Sequence, residues 1–234
     1  MKKVNSLLKN LMMISAIAVT FVACDKDEDP KTGKMLVTHA SPNAPGVDLL
    51  VDNVKVNSTP LTYTNNTGYL TVNAGTRNVK VNVAGSSTTV INADLPITMD
   101  KNYSVFATNL VASISAIAVE DNLAAPAAGK AHIRFFHLSP GAPAVTVGVL
   151  AGAVFTPVFS NRTFETQATA NTNAAFTPVD AGTVTLDVRL AGTTTSVLTV
   201  PGVALQSGKI YTVYARGIVG NTTTPLGASI IANN

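Results

Sequence analysis

Two histidines stand in the same short pattern. His39-Ala40-Ser41-Pro42-Asn43-Ala44-Pro45-Gly46-Val47 lines up with His137-Leu138-Ser139-Pro140-Gly141-Ala142-Pro143-Ala144-Val145. A His two residues before a Ser on a strand shares a face with it. An imidazole beside a hydroxyl could act as general base and nucleophile. The same residues also suit a purely mechanical role. Each Pro sets its own φ and holds the preceding residue extended. Ser and His can bond nearby backbone groups. No acidic residue recurs beside the pair in both copies to orient the imidazole. The pattern therefore reads first as a rigid strand-to-strand connection, with His39 and His137 as its ties, and no catalytic residue is expected.

Metal chemistry has little to draw on. The chain holds three His and one Cys, so a Cys-ligated zinc site is excluded. His132 and His137 are five apart and face opposite sides of a regular strand. The one dense acidic run, Asp25 to Asp29, reads as a solvated tether. Neither G-x-x-x-x-G-K-[ST] nor G-x-G-x-x-G occurs, so no phosphate-cradling loop is seen. No metal and no cofactor are expected. One segment could meet a partner: about Phe159 to Phe176, where Phe159, Arg162, Phe164 and Gln167 are the candidate contacts, since loops on rigid scaffolds often carry binding. The competing reading is an extra edge hairpin whose Phe residues enter the core. Absence of Trp and only five Tyr argue against an aromatic platform for glycans.

The elements that hold these residues follow from an internal repeat. Besides the H-x-S-P pattern, Val72-Asn73-Ala74-Gly75-Thr76 matches Val179-Asp180-Ala181-Gly182-Thr183. Lys101, Tyr103, Val105 and Ala107 match Lys209, Tyr211, Val213 and Ala215. The second unit carries extra residues between its first two landmarks. Within each unit the apolar period is two. Val79, Val81 and Val83 alternate with Asn78, Lys80 and Asn82; Val184, Leu186, Val188 and Leu190 alternate with Thr185, Asp187 and Arg189. Asp52-Asn53, Ala84-Gly85-Ser86 and Ala191-Gly192 supply turns. No segment after residue 30 shows a clear helical period. The expectation is an all-β chain: two tandem immunoglobulin-like antiparallel β-sandwich domains of about seven strands each, able to fold independently. Residues 35–122 form the first, 123–130 an Ala-rich linker, and 131–234 the second.

Composition agrees. Hydrophobic residues make up 46% and charged residues 12% of 234, enough apolar matter for a core. The net charge of +3 is local to one end. Lys2, Lys3 and Lys9 precede an uncharged run, Leu11 to Ala23, too short to span a bilayer, which takes ~20 residues. Phe21-Val22-Ala23-Cys24 closes it, and acidic residues follow. This end resembles a bacterial lipoprotein signal peptide, with residues 1–23 removed, Cys24 acylated and 24–34 a tether. Two acyl chains on one residue suffice for stable anchoring. Without the three lysines, 13 basic residues face 13 acidic ones, so nothing supports nucleic-acid binding. Lys26-Asp27-Glu28 resembles the export signal that sends lipoproteins of the Bacteroidetes group to the outer face of the outer membrane. Asp25, directly after the Cys, resembles an inner-membrane retention signal of other groups.

A strand into HASPNAPGVDLLVDN, then a hairpin, VNAGTRNVKV and a K-x-Y-x-V strand resembles the family catalogued as domain of unknown function 4397, over residues 35 to about 220 in two copies. The resemblance implies tandem β-sandwiches in the bacterial cell envelope and no established activity. The second copy departs from it: Thr146 stands where Asp48 does, and the Asp-Asn turn is missing at Leu150-Ala151. The expected protein is thus a non-enzymatic, lipid-anchored outer-membrane protein, surface-exposed, binding an envelope or extracellular protein or a glycan. The alternatives are a periplasmic accessory subunit of a transport or secretion assembly, and a hydrolase. A catalytic site would show convergent polar groups in a cleft; an interaction module would not.

Overall fold

The computed structural model describes residues 30–234. Cys24, Lys26, Asp27, Glu28 and the signal-like segment lie outside the described residues. Period two dominates, as Val- and Thr-rich alternation dictates. Sandwich 1 contains β1 (Thr32–His39), β2 (Val47–Val51), β3 (Val54–Lys55), β4 (Asn66–Asn73), β5 (Gly75–Val83), β6 (Thr89–Ile97), β7 (Asn102–Thr108) and β8 (Ser115–Asp121). Sandwich 2 contains β9 (Lys130–His137), β10 (Val145–Ala151), β11 (Val154–Arg162), α1 (Gln167–Asn173), β12 (Thr177–Asp180), β13 (Gly182–Leu190), β14 (Ser196–Leu205), β15 (Ile210–Arg216) and β16 (Gly227–Ala232).

The repeat is written into the topology. Sandwich 1 pairs a β4-β1-β7-β8 sheet with a β3-β2-β5-β6 sheet. Adding eight to each label gives the two sheets of sandwich 2, β12-β9-β15-β16 and β11-β10-β13-β14. Each sandwich has eight strands rather than about seven. Pairing is antiparallel except at the centre of one sheet in each, where β1 runs parallel to β7 and β9 to β15. The parallel pair arises because β1 and β7 are joined by a crossover through the opposite sheet, not by a hairpin.

Local chemistry explains the outer faces. On β5, Val79 and Val81 point into the sandwich, while Asn78 donates from Nδ2 to Asn92 and Asp94 on β6. The β2–β3 turn uses Asp52 and Asn53 at φ 49° and 66°, a left-handed pair that Asp and Asn tolerate. In the second copy that turn moves to Gly152, at φ 59°, and the strand after it grows from two residues in β3 to nine in β11.

β1, β7, β9 and β15 break the alternation, being buried on both faces. The cause is a third apolar cluster besides the two sandwich interiors. Leu36 and Phe106 of sandwich 1 meet Phe136, Leu138 and Tyr214 of sandwich 2. Phe106 stands edge-on to Phe136 and to Tyr214, with ring centroids 5.4 and 6.0 Å apart, the favoured arrangement for aromatic pairs. The stack therefore has four layers, and residues 31–234 form one compact unit. Each sandwich on its own would expose one wall of that cluster. The connection Asn122–Gly129 is tied down at its end, where Gly129 N–H donates to Ser207 Oγ.

Candidate functional site

The H-x-S-P loops close the same end of both sandwiches, and both histidines are buried. His39 Nε2 lies 2.9 Å from the Pro45 carbonyl oxygen, and His137 Nε2 lies 3.1 Å from that of Pro143. The imidazole N–H thus ties the far end of its own loop, six residues on. Ser139 Oγ donates to the Gly217 carbonyl at 2.6 Å, so it does not serve His137 as a nucleophile would. Burial pushes both imidazoles below their ordinary pKa, against the smaller upward pull of the Pro45 and Pro143 carbonyls. These rings are neutral ties, the mechanical role the repeated pattern suggests.

The candidate partner residues of the second unit are dispersed by the fold. Phe159 is 3% exposed and stacks on Phe135 at 6.2 Å, so it fills the core of sandwich 2 and is not available to a partner. Arg162 lies over the Phe159 ring, 5.3 Å from its centroid, and is half-buried, as is Phe164. Gln167 opens α1 and turns to sandwich 1. Its Oε1 accepts from Ala118 N–H at 2.9 Å and its Nε2 donates to the Ala118 carbonyl at 2.7 Å. One side-chain amide thus continues the sheet at β8, an edge strand whose free groups invite pairing. The helix itself was not foreseen. Its only local signal is Thr166, which caps it by accepting from Thr169 N–H, without the usual Glu or Gln at the third position.

The most strongly perturbed groups lie between the sandwiches. Arg134 and Asp121 are fully buried, with Arg134 Nη2 2.7 Å from Asp121 Oδ1. A closed ring of hydrogen bonds surrounds them. Ser104 Oγ donates to Asp121 Oδ2 at 2.7 Å and accepts from Arg134 Nη2 at 2.9 Å. Arg134 Nε donates to Thr212 Oγ1, whose hydroxyl donates to Asn233 Oδ1. Asn233 Nδ2 then donates to Tyr69 Oη, and the Tyr69 hydroxyl donates to Asp121 Oδ2 at 2.5 Å. Three members come from each sandwich. Burial and the neighbouring Asp121 charge push the Tyr69 phenol well up, keeping it a donor. Burial pulls Arg134 down, and Asp121 opposes that pull. Arg134 also lies over the rings of Phe136 and Phe176, at 5.0 and 4.4 Å. The buried charge is thus paired and hydrogen-bonded, as it must be, and it joins the two sandwiches.

Sandwich 1 holds a different kind of feature. A cavity of about 370 Å³ opens between its sheets at the β6 and β8 edges. Its interior is aliphatic: Val37, Val79, Val81, Ile91, Val105 and the small Ala93, Ala107, Ala116 and Ala118. Asp94, Glu120, Gln167 and Asn171 stand at its mouth, the last two from α1 of sandwich 2. The volume falls within the range of small-ligand pockets, about 300–1,000 Å³. The register shows why the equivalent edge of sandwich 2, between β14 and β16, opens less. Val37 and Phe135 occupy equivalent places, opposite Val105 and Val213. Ala93, opposite Val79, becomes Val200 opposite Leu186. Larger residues and Phe159 fill this side of the second interior, leaving a cavity of about 160 Å³ near the His137 loop. A space of about 460 Å³ lies at the opposite edge of sandwich 2, between β11 and β12, with a more polar lining that includes Thr156, Thr177 and Asp180. Among the described residues, no group of three or more His, Cys, Asp or Glu converges to hold a metal, and no helix is long and apolar enough to cross a membrane.

A fused pair of repeated β-sandwiches, the first open along its β6–β8 edge to an apolar interior, is the class these observations define. Residues 33–148 match the family described as Domain of unknown function (DUF4397). The matched stretch takes in sandwich 1, β9, the second H-x-S-P loop and β10 as far as Gly148. No curated protein matches the chain.

Proposed function

We propose that this chain is a non-enzymatic binding module of the bacterial cell envelope, held by a lipid on Cys24, which takes its ligand in the sandwich 1 cavity. The observation that carries the reading is the inequality of two equivalent edges, β6–β8 and β14–β16. The repeat fills the space behind one with Phe135, Phe159, Leu186 and Val200 and leaves the other open, apolar and lined by alanines. Interiors otherwise close-pack, so an open one of this size marks a place for another molecule. Four of the buried groups with shifted pKa values, Arg134, Tyr69, His39 and His137, are taken up by ties within the fold and do not line that cavity. The Cys24 anchor rests on the signal-like residues before it, and Lys26-Asp27-Glu28 supports display on the outer face. A rigid four-layer body on a short tether suits such display.

The test is a screen of lipids, glycans and peptides against the full chain, followed by methyl NMR. Bound compounds should shift Val37, Val79 and Val105 and leave Val188 and Val213 unmoved. Hits that shift only surface residues elsewhere would refute the cavity reading. Fatty-acid labelling that persists in Cys24→Ser would refute the anchor.

A further inference from the structure

We infer that the sandwich 1 cavity takes the straight aliphatic chain of a single-chain amphiphile whose head group is not anionic; this rests on the reading of that cavity as the binding site. Three features set the ligand class. First, the side chains reaching into the cavity from β1, β5, β6 and β8 are Val, Ile, Leu and Ala, and Tyr103 is the sole aromatic residue of the lining. The Tyr103 hydroxyl is engaged, accepting from Thr98 N–H at 3.1 Å. The aliphatic side chains offer a guest no hydrogen bond, and a polar group carried inward among them would be stranded. A hydrocarbon chain meets that condition.

Second, the opening is a long one between two sheet edges. The cavity runs from Ala107 and Ala116 past Ala118 to Glu120 along β7 and β8, and from Ile91 to Pro96 along β6. The small side chains of Ala93, Ala116 and Ala118 leave the space between the two edges unfilled. A slot of this form fits a chain lying along the strands better than a compact ring system.

Third, the charges at the mouth choose the head. Glu120 sits on the inward face of β8 at the end of the slot, and Lys101 Nζ is 2.7 Å from its Oε1. Asp94 lies on the β6 side, but its carboxylate is turned to the outer face of the sheet, where it accepts from Asn78. Glu120 is therefore the carboxylate at the opening. It offers acceptors that an alcohol, an acylglycerol or an ammonium head can use and that a carboxylate or phosphate head cannot. The α1 amides do not reverse this, because Gln167 is engaged with Ala118 and also donates to Asn171 Oδ1 at 2.8 Å.

The experiment uses the full chain carrying Cys24→Ser, so that no acyl group of its own competes. 1-Decanol, decylammonium and decanoate are titrated below their aggregation limits and followed by methyl NMR. Decanol and decylammonium should shift Val37, Val79, Ile91 and Val105 and saturate, while decanoate should bind at least about ten-fold more weakly. Val37→Phe, which installs the residue found at Phe135, should weaken decanol binding by at least about ten-fold, and Ala118→Leu, at the mouth, is the second variant should the first fail to fold. Equal binding of all three compounds would overturn the head-group assignment and leave the cavity reading standing. Silence towards all three, with some other compound shifting the same methyls, would overturn the aliphatic assignment alone. Unchanged decanol binding in folded Val37→Phe and Ala118→Leu would overturn both.

Discussion

The two sandwiches share strand order, register and loop ties, yet they treat one pair of equivalent edges oppositely. Sandwich 2 packs Phe135 against Phe159 and leaves about 160 Å³ near its loop end on the β14–β16 side. Sandwich 1 places Val37 and alanines at equivalent points and leaves about 370 Å³ open to the β6–β8 edge. The same backbone therefore serves as a filled support in one copy and a container in the other, and a few side-chain volumes make the difference. The extra residues of the second copy act across the boundary: β11 carries Phe159 into its own core, and α1 carries Gln167 onto the first copy's edge.

The largest effect should come from the seam between the copies. Arg134→Ala leaves Asp121 buried without its cation, and breaking such a pair costs about 3–5 kcal/mol. Chemical denaturation should show one transition moving to lower denaturant. Two transitions, with only one moved, would mean that the sandwiches unfold separately. Cleavage near Ala128 should likewise give two halves that fold only together, by circular dichroism.

Next, the interiors can be exchanged. Phe135→Val gives sandwich 2 the residue that sandwich 1 carries at Val37. Loss of a buried aromatic ring should cost about 2–4 kcal/mol and open a cavity that decanol shifts at Val188 and Val213. Full stability in this variant would show that Phe135 does not fill the space. The reverse change, Val37→Phe, should alter stability by less than about 1.5 kcal/mol if the cavity accepts the ring.

A smaller effect is shared by both copies. The folded chain holds His39 and His137 neutral, with pKa values lowered by burial, while the unfolded chain titrates them near 6.5. Stability tied to the neutral rings is complete above that value. It is lost as pH falls below it, where only the unfolded chain takes up the protons. The unfolding midpoint should therefore drop as pH falls below about 6.5, and much of that slope should vanish in His39→Gln/His137→Gln. At pH above the window each single change should cost about 1–2 kcal/mol through the lost carbonyl tie. A midpoint that rises on acidification would mean the rings are charged when folded.

Gln167→Ala should have the smallest effect, about 1 kcal/mol, seen most sharply as faster hydrogen exchange at Ala118. Unchanged exchange there would detach α1 from the β8 edge.

Much of this was present in the residues alone. The alternation of Val with Asn, Lys and Thr, the glycine and Asp-Asn turns, and the duplicated H-x-S-P pattern define two repeats of a β-sandwich, because period two and turn chemistry are local properties. Even the histidine ties follow from two prolines holding a loop within reach of one ring. What the chain could not show was which strands would be buried twice. Arg134 sits in the strand K-A-H-I-R-F-F-H, and nothing in that spacing says whether its face meets water or a second sheet. Only the packing of the two sandwiches sets Asp121, Ser104, Tyr69, Thr212 and Asn233 around it, from positions up to 164 residues apart. The open cavity escapes the sequence for a related reason. Val37 is as apolar as Phe135, and Ala93 as apolar as Val200, so the binary pattern of the two copies is the same. Whether a core closes depends on summed volume across strands that meet only in three dimensions, and that was decided by the tertiary structure.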